Sequence, residues 1–90
     1  MEFRIKLEKK EKKYVASCYI LTSDGEIIPL EKVMGLFQGR NLEEIEMKIR
    51  RKLEKSNSLL LESIYRHVAM NKEKITSKIE NKNFYDSILV

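Results

Sequence analysis

The sequence predicts an α+β domain: an antiparallel sheet of three to four strands in the N-terminal half, followed by two or three helices packed on it. Three observations carry this. Apolar residues alternate with charged ones from Phe3 to Glu8. Asp24-Gly25 supplies a tight turn after a second strand-like run. From Asn41 the apolar period switches from two to that of a helix.

Phe3, Ile5 and Leu7 face one way and Arg4, Lys6 and Glu8 the other, as in a strand with one buried face. Lys9-Lys10-Glu11-Lys12-Lys13 reads as a charged loop. Tyr14 to Thr22 is the strongest strand; Val15, Tyr19 and Ile20 favour β structure, and both faces carry apolar residues, which suits a central position. Ser23-Asp24-Gly25-Glu26 turns the chain because Asp-Gly reaches positive φ at little cost. Ile27-Ile28 opens a third strand. Pro29 has no N–H for the ladder, so it confines that strand to an edge or ends it. Val33 to Gln38 is either a fourth short strand or the third continued past a bulge, with Gly35 and Gly39 as bends.

Asn41 caps the first helix, with Glu44 three residues on where a capping-box acid belongs. Leu42, Ile45, Ile49 and Leu53 form its apolar stripe, and Glu44–Lys48 and Glu46–Arg50 are i, i+4 pairs in the favourable order. Ser56-Asn57-Ser58 offers competing side-chain hydrogen bonds and ends the helix near Lys55. A second helix is expected from Leu59 to Asn71 and a weaker third from Lys72 to Glu80. Asn81-Lys82-Asn83 breaks the pattern, and Phe84 to Val90 is an apolar tail. The 90 residues make one domain, strand-rich over 1–40, helical over 41–80, with the tail at 81–90.

Charged residues are 36% of the chain, above the usual quarter, and Lys and Glu dominate them. That balance suits a thermophile with surface ion-pair networks; an AT-rich genome, such as a virus can carry, produces it as well. The net charge of +4 favours contact with nucleic acid or acidic proteins, although solubility alone asks for as much. No apolar leader is visible, and no apolar run approaches the roughly 20 residues that span a bilayer. The expected location is the cytoplasm, the host's if the chain is viral, with no membrane partner.

Catalytic motifs are missing. Cys18 is the single cysteine, so it reads as a small buried hydrophobe in the central strand, and no disulfide can form within the chain. His67 is the single histidine, set among Ile64, Tyr65 and Val68, and nothing in the sequence pairs it with a nucleophile. One Cys and one His do not make a zinc site. Glu43 and Glu44 diverge by about 100° on a helix and act as charges at its N-terminus. No catalytic residue, metal ligand or cofactor is assigned, and the chain is read as a non-enzyme.

Two surfaces are candidates instead. For nucleic acid, Lys9, Lys10, Lys12 and Lys13 form a basic hairpin tip, and Lys48, Arg51, Lys52 and Lys55 share one flank of the first helix and face solvent. Tyr14 and Tyr19 are available to stack bases. The plainer role for such lysines is to guard strand edges, and for such tyrosines to fill the core. For protein contact, Phe84, Tyr85, Ile88, Leu89 and Val90 of the tail, with Tyr65 on the wide apolar stripe of the second helix, are assigned to an interface, most simply between two copies of the chain.

Lys13-Tyr14-Val15-Ala16 resembles the second strand of HicB-type antitoxins, which carries a Tyr-Val-Ala stretch. In that family a Gly precedes a helix opening Thr-x-Glu-Glu-Ala; Gly39-Arg40-Asn41-Leu42-Glu43-Glu44-Ile45 is similar, with Asn for Thr and Ile for Ala. The resemblance spans about residues 3–55. Ser23 to Leu36 replaces the family's Pro-rich segment, and no recognisable DNA-binding module follows. The resemblance implies a sheet-plus-helix domain that dimerises and neutralises a small RNA-cleaving toxin without catalysis of its own. Two functional readings therefore stand: a homodimeric regulatory protein that recognises and restrains another protein, antitoxin-like or as an inhibitor from a virus or mobile element, and a basic nucleic-acid-binding accessory protein.

Overall fold

Alternating residues on two consecutive segments make the first structural unit. Strands β1 (Glu2–Lys10) and β2 (Lys13–Leu21) pair antiparallel without interruption from Glu2↔Leu21 to Lys10↔Lys13 in the computed structural model, which describes residues 1–79 and 83–88. The expected five-residue charged loop shrinks to Glu11-Lys12, because the ladder continues through Lys9↔Tyr14 and Lys10↔Lys13. Glu11 sits at φ 53, while Lys12 keeps a negative φ. That sign pattern belongs to the type II′ hairpin turn, whose first central position usually holds glycine.

The outer edge of β2 is shared by two short strands. Strand β3 (Ile27–Pro29) pairs with Tyr19–Leu21, and β4 (Phe37–Gly39) pairs with Tyr14–Ala16. Between them Leu30 donates its N–H to the Cys18 carbonyl at 2.9 Å, and the chain makes one helical turn, α1 (Glu31–Met34). Both expectations for Val33–Gln38 miss this turn, since Val33 and Met34 are helical and only Phe37 and Gln38 are extended. Gly35, at φ 79 and ψ 179, re-aims the backbone into β4 through a region open to glycine alone.

Three helices follow. Helix α2 (Leu42–Ser56) is capped by the Asn41 carboxamide, which accepts from the Glu44 N–H at 2.9 Å. The Glu44 carboxylate reaches back to the Arg40 N–H at 2.8 Å, one residue earlier than in the usual box. Asn57 takes the left-handed conformation, and Ser58 caps α3 (Leu59–Met70) through the Leu61 N–H. The expected joint at Ser56-Asn57-Ser58 is therefore a stop and a start in three residues. Helix α4 (Lys72–Ile79) follows after Asn71.

The tail returns to the sheet. Strand β5 (Phe84–Ile88) pairs antiparallel with β1 from Phe3↔Ile88 to Leu7↔Phe84, giving five strands in the order β3-β2-β1-β5 with β4 also on β2. The sheet thus has one strand more than the three or four expected, because Phe84, Asp86 and Ile88 alternate with Tyr85 and Ser87.

Register then assigns the faces. Ile5, Leu7, Ala16, Cys18, Phe84 and Ile88 join Ile45, Ile49, Leu61, Ile64, Val68, Ile75 and Ile79 in one core between sheet and helices. The opposite face carries Arg4, Lys6, Glu8, Ser17, Tyr19, Tyr85 and Ser87, with no described helix over it. Among the described residues no helix is long and apolar enough to cross a membrane.

Candidate nucleic-acid interface

The two basic clusters, far apart in sequence, meet at Gln38. Pairing of β4 with the start of β2 sets Gln38 opposite Val15, beside the hairpin tip. Its side-chain oxygen accepts from Lys13 Nζ at 2.9 Å, while its backbone carbonyl accepts from Lys48 Nζ on α2. One helical turn on, Lys52 Nζ donates to the Met34 carbonyl and lies 5.7 Å from the centre of the Phe37 ring. Lys48 is exposed and Lys52 half-buried, and the ammonium groups of both reach across to the segment between β3 and the end of β4. Neutral carbonyl partners leave both positive charges in place. Arg51 and Lys55 on the same flank are exposed.

These contacts tie the two clusters into a basic edge of Lys9, Lys10, Lys12, Lys13, Arg40, Lys48, Arg51, Lys52 and Lys55, half of the chain's 18 Lys and Arg residues, with Lys10 paired to Glu8 at 3.4 Å and Arg40 to Glu44 at 3.3 Å. Glu8, Glu11 and Glu44 are interspersed among them, out of 14 Asp and Glu residues in all. The acids of α2 mostly lie elsewhere; Glu46, for example, pairs with Lys72 at 2.7 Å, and Glu54 with Arg50 at 3.5 Å.

The uncovered face of the sheet adjoins this edge. Arg4 Nε donates to the Tyr19 hydroxyl at 3.0 Å and Arg4 Nη1 meets Glu2 at 2.6 Å. Lys6 pairs with Glu8 at 2.7 Å and holds its ammonium 5.7 Å from the centre of the Tyr85 ring. Of the two tyrosines expected to stack bases, Tyr19 lies on this face. Tyr14 is on the other side of β2, half-buried against the core with Lys9 Nζ 5.8 Å from its ring centre. Tyr85, expected at a protein interface, is the second tyrosine of this face, since it lies opposite Lys6. The alternation of the tail was the signal that could have placed it there.

The residues assigned to a protein interface scatter. Phe84 and Ile88 are buried in the chain's own core, and Tyr65 packs against it. Tyr85 is half exposed on the sheet face. Leu89 and Val90 lie outside the described residues.

Among the described residues, neither Cys18 nor His67 lies in a cluster of three His, Cys, Asp or Glu side chains. Cys18 is 5% exposed, and burial pushes its thiol up to about 12, so it is protonated at neutral pH. His67 Nε2 lies 3.1 Å from Asp86 Oδ2 but is not aligned for a hydrogen bond. Lys74 Nζ stands 3.6 Å from the same oxygen. Burial works against the Asp86 charge, yet the Ser87 N–H and then His67 and Lys74 hold its carboxyl below the ordinary value. Across the sheet Asp86 opposes Ile5 and Ile5 opposes Cys18, so the thiol is two strands, roughly 10 Å, from this pair. Among the described residues no three His, Cys, Asp or Glu side chains cluster to hold a metal.

Compared with known protein families, curated proteins and solved structures, the chain matches none.

Proposed function

We propose that this chain is a non-catalytic accessory protein that binds nucleic acid through its basic edge. The observation that carries the reading is the double contact of Gln38, which joins the hairpin-tip lysines to the α2 flank in one surface. Phosphate backbones are bound by such contiguous Lys and Arg side chains through release of condensed counterions. Fluorescence anisotropy with labelled DNA and RNA tests it. Micromolar binding is expected at low salt, falling roughly a hundredfold between 50 and 200 mM if about four phosphates are neutralised. Lys9→Glu with Lys12→Glu flattens that dependence. Absence of binding at low salt removes the reading.

A second reading, restraint of a protein partner in the antitoxin manner, is favoured by a different surface from the one expected. Ile27, Ile28, Val33 and Leu36 are 63%, 45%, 78% and 39% exposed along the outer edge formed by β3 and α1. An apolar edge of this kind, which no other strand pairs among the described residues, invites a second chain. Light scattering tests the homodimer: Ile28→Lys with Val33→Lys is expected to abolish self-association. A wild type that stays monomeric at high concentration counts against it.

A further inference from the structure

The uncovered sheet face holds a hollow of about 260 Å³ that the basic edge does not use. Its floor is Ser17, the small side chain opposite Lys6. Tyr85, opposite Lys6 on the other neighbouring strand, forms one wall. Tyr19 and Pro29, paired across β2 and β3, line the other side with Ile27 and Glu31. The hollow is smaller than the roughly 300–1,000 Å³ of drug-sized ligand sites, and planar rings and a proline bound it.

We propose that this hollow takes one unpaired base of a single-stranded nucleic acid, stacked on Tyr85; the inference rests on the nucleic-acid reading above and narrows it to single strands. Four features argue for this occupant. Tyr85 is 48% exposed, with Lys6 Nζ 5.7 Å from its ring centre, whereas Tyr19 is held in place by Arg4. An exposed aromatic side chain stacks any base, since every base offers a π surface. The flanking cations outnumber the acid between them: Lys6 lies in the hollow, Lys10 and Lys13, directly opposite one another, continue along the same face to the hairpin tip, and the Glu8 carboxylate is shared by Lys6 at 2.7 Å and Lys10 at 3.4 Å. Finally, Glu2 and Glu8 on this face already pair with Arg4 and Lys6, while Glu31 in the lining repels a phosphate, so the uncharged base suits the hollow and the backbone passes beside it. A duplex, whose bases are already stacked, cannot offer one without unstacking.

The test compares anisotropy of a labelled single-stranded 12-mer and of the same sequence as a duplex, for the wild type, Tyr85→Ala, Tyr85→Phe and Lys9→Glu with Lys12→Glu. Single-strand preference is expected, with Tyr85→Ala weakening the single strand about tenfold and leaving the duplex unchanged. Tyr85→Phe keeps the ring and retains wild-type affinity. Should Tyr85→Ala prove unstable in thermal melts, Lys6→Gln is read instead, with a several-fold loss confined to the single strand. Equal binding of both forms, insensitive to Tyr85 and Lys6 yet lost on reversing the tip charges, overturns the hollow and leaves the basic edge standing. Failure of the wild type to bind either form removes both.

Discussion

Gly39 approaches Glu44 so closely that a Cβ at position 39 would stand 2.7 Å from the Glu44 Cβ. It would also meet the Asn41 carbonyl oxygen at 3.2 Å. The Glu44 Cβ is fixed by helix α2, so it cannot swing aside. This contact brings β4 against the first turn of α2 and so places Gln38 beneath Lys48. Gly39→Ala is therefore expected to cost about 1–3 kcal/mol of stability through overpacking, measured by urea unfolding. An unchanged midpoint would show that the helix start yields more easily than its capping bonds suggest.

Glu11 occupies a positive φ that a side chain tolerates poorly. A left-handed non-glycine residue costs roughly 1–2 kcal/mol, and the extra unfolded-state freedom of glycine returns part of that. Glu11→Gly is expected to stabilise the fold by about 0.5 kcal/mol. Because it also removes an acid from the basic tip, it should steepen the salt dependence of nucleic-acid binding. A loss of stability would argue that the turn differs in shape.

Cys18 should resist a thiol reagent at pH 8 while the chain is folded and react at once in urea. Its folded pKa of about 12 exceeds its ordinary value of 9.0. The folded state therefore favours the protonated thiol, and the contribution is complete below pH 9 and lost as pH rises toward 12. Cys18→Ala removes that alkaline slope. Rapid labelling of native protein would mean that β2 opens locally.

Asp86 works in the opposite direction. Its carboxyl titrates below its ordinary value of 3.8, so its stabilising contribution is present above that pH and disappears as acid protonates the folded state. Unfolding midpoints followed from pH 6 to pH 2 should fall less for Asp86→Asn than for the wild type. Parallel curves would place the acid sensitivity in other carboxylates.

Local rules account for much of this architecture. Phe3, Ile5 and Leu7 announce β1, and Asn41 and Ser58 mark both long helix starts, because caps and alternation are written in neighbouring residues. The α1 turn was hidden, since it depends on the Leu30 N–H finding the Cys18 carbonyl across the sheet. In the sequence, strand β5 looks like an apolar tail because the run Ile88-Leu89-Val90 hides the alternation before it. The lysine clusters were legible separately; their union at Gln38 was not, because it needs β4 to lie between β2 and α2. Tyr14 and Tyr19 looked alike in sequence, and only register sends one to the core and the other to the open face.

Strand β5 is the last described element to be synthesised, yet it pairs with the first. During translation the β1–β2 ribbon must wait with one flank open until Phe84 and Ile88 clear the ribosome. A transcript cut short before that point yields a polypeptide with an exposed apolar seam, fit for degradation or clumping. Only a chain that carries Phe84–Ile88 closes this flank of the sheet.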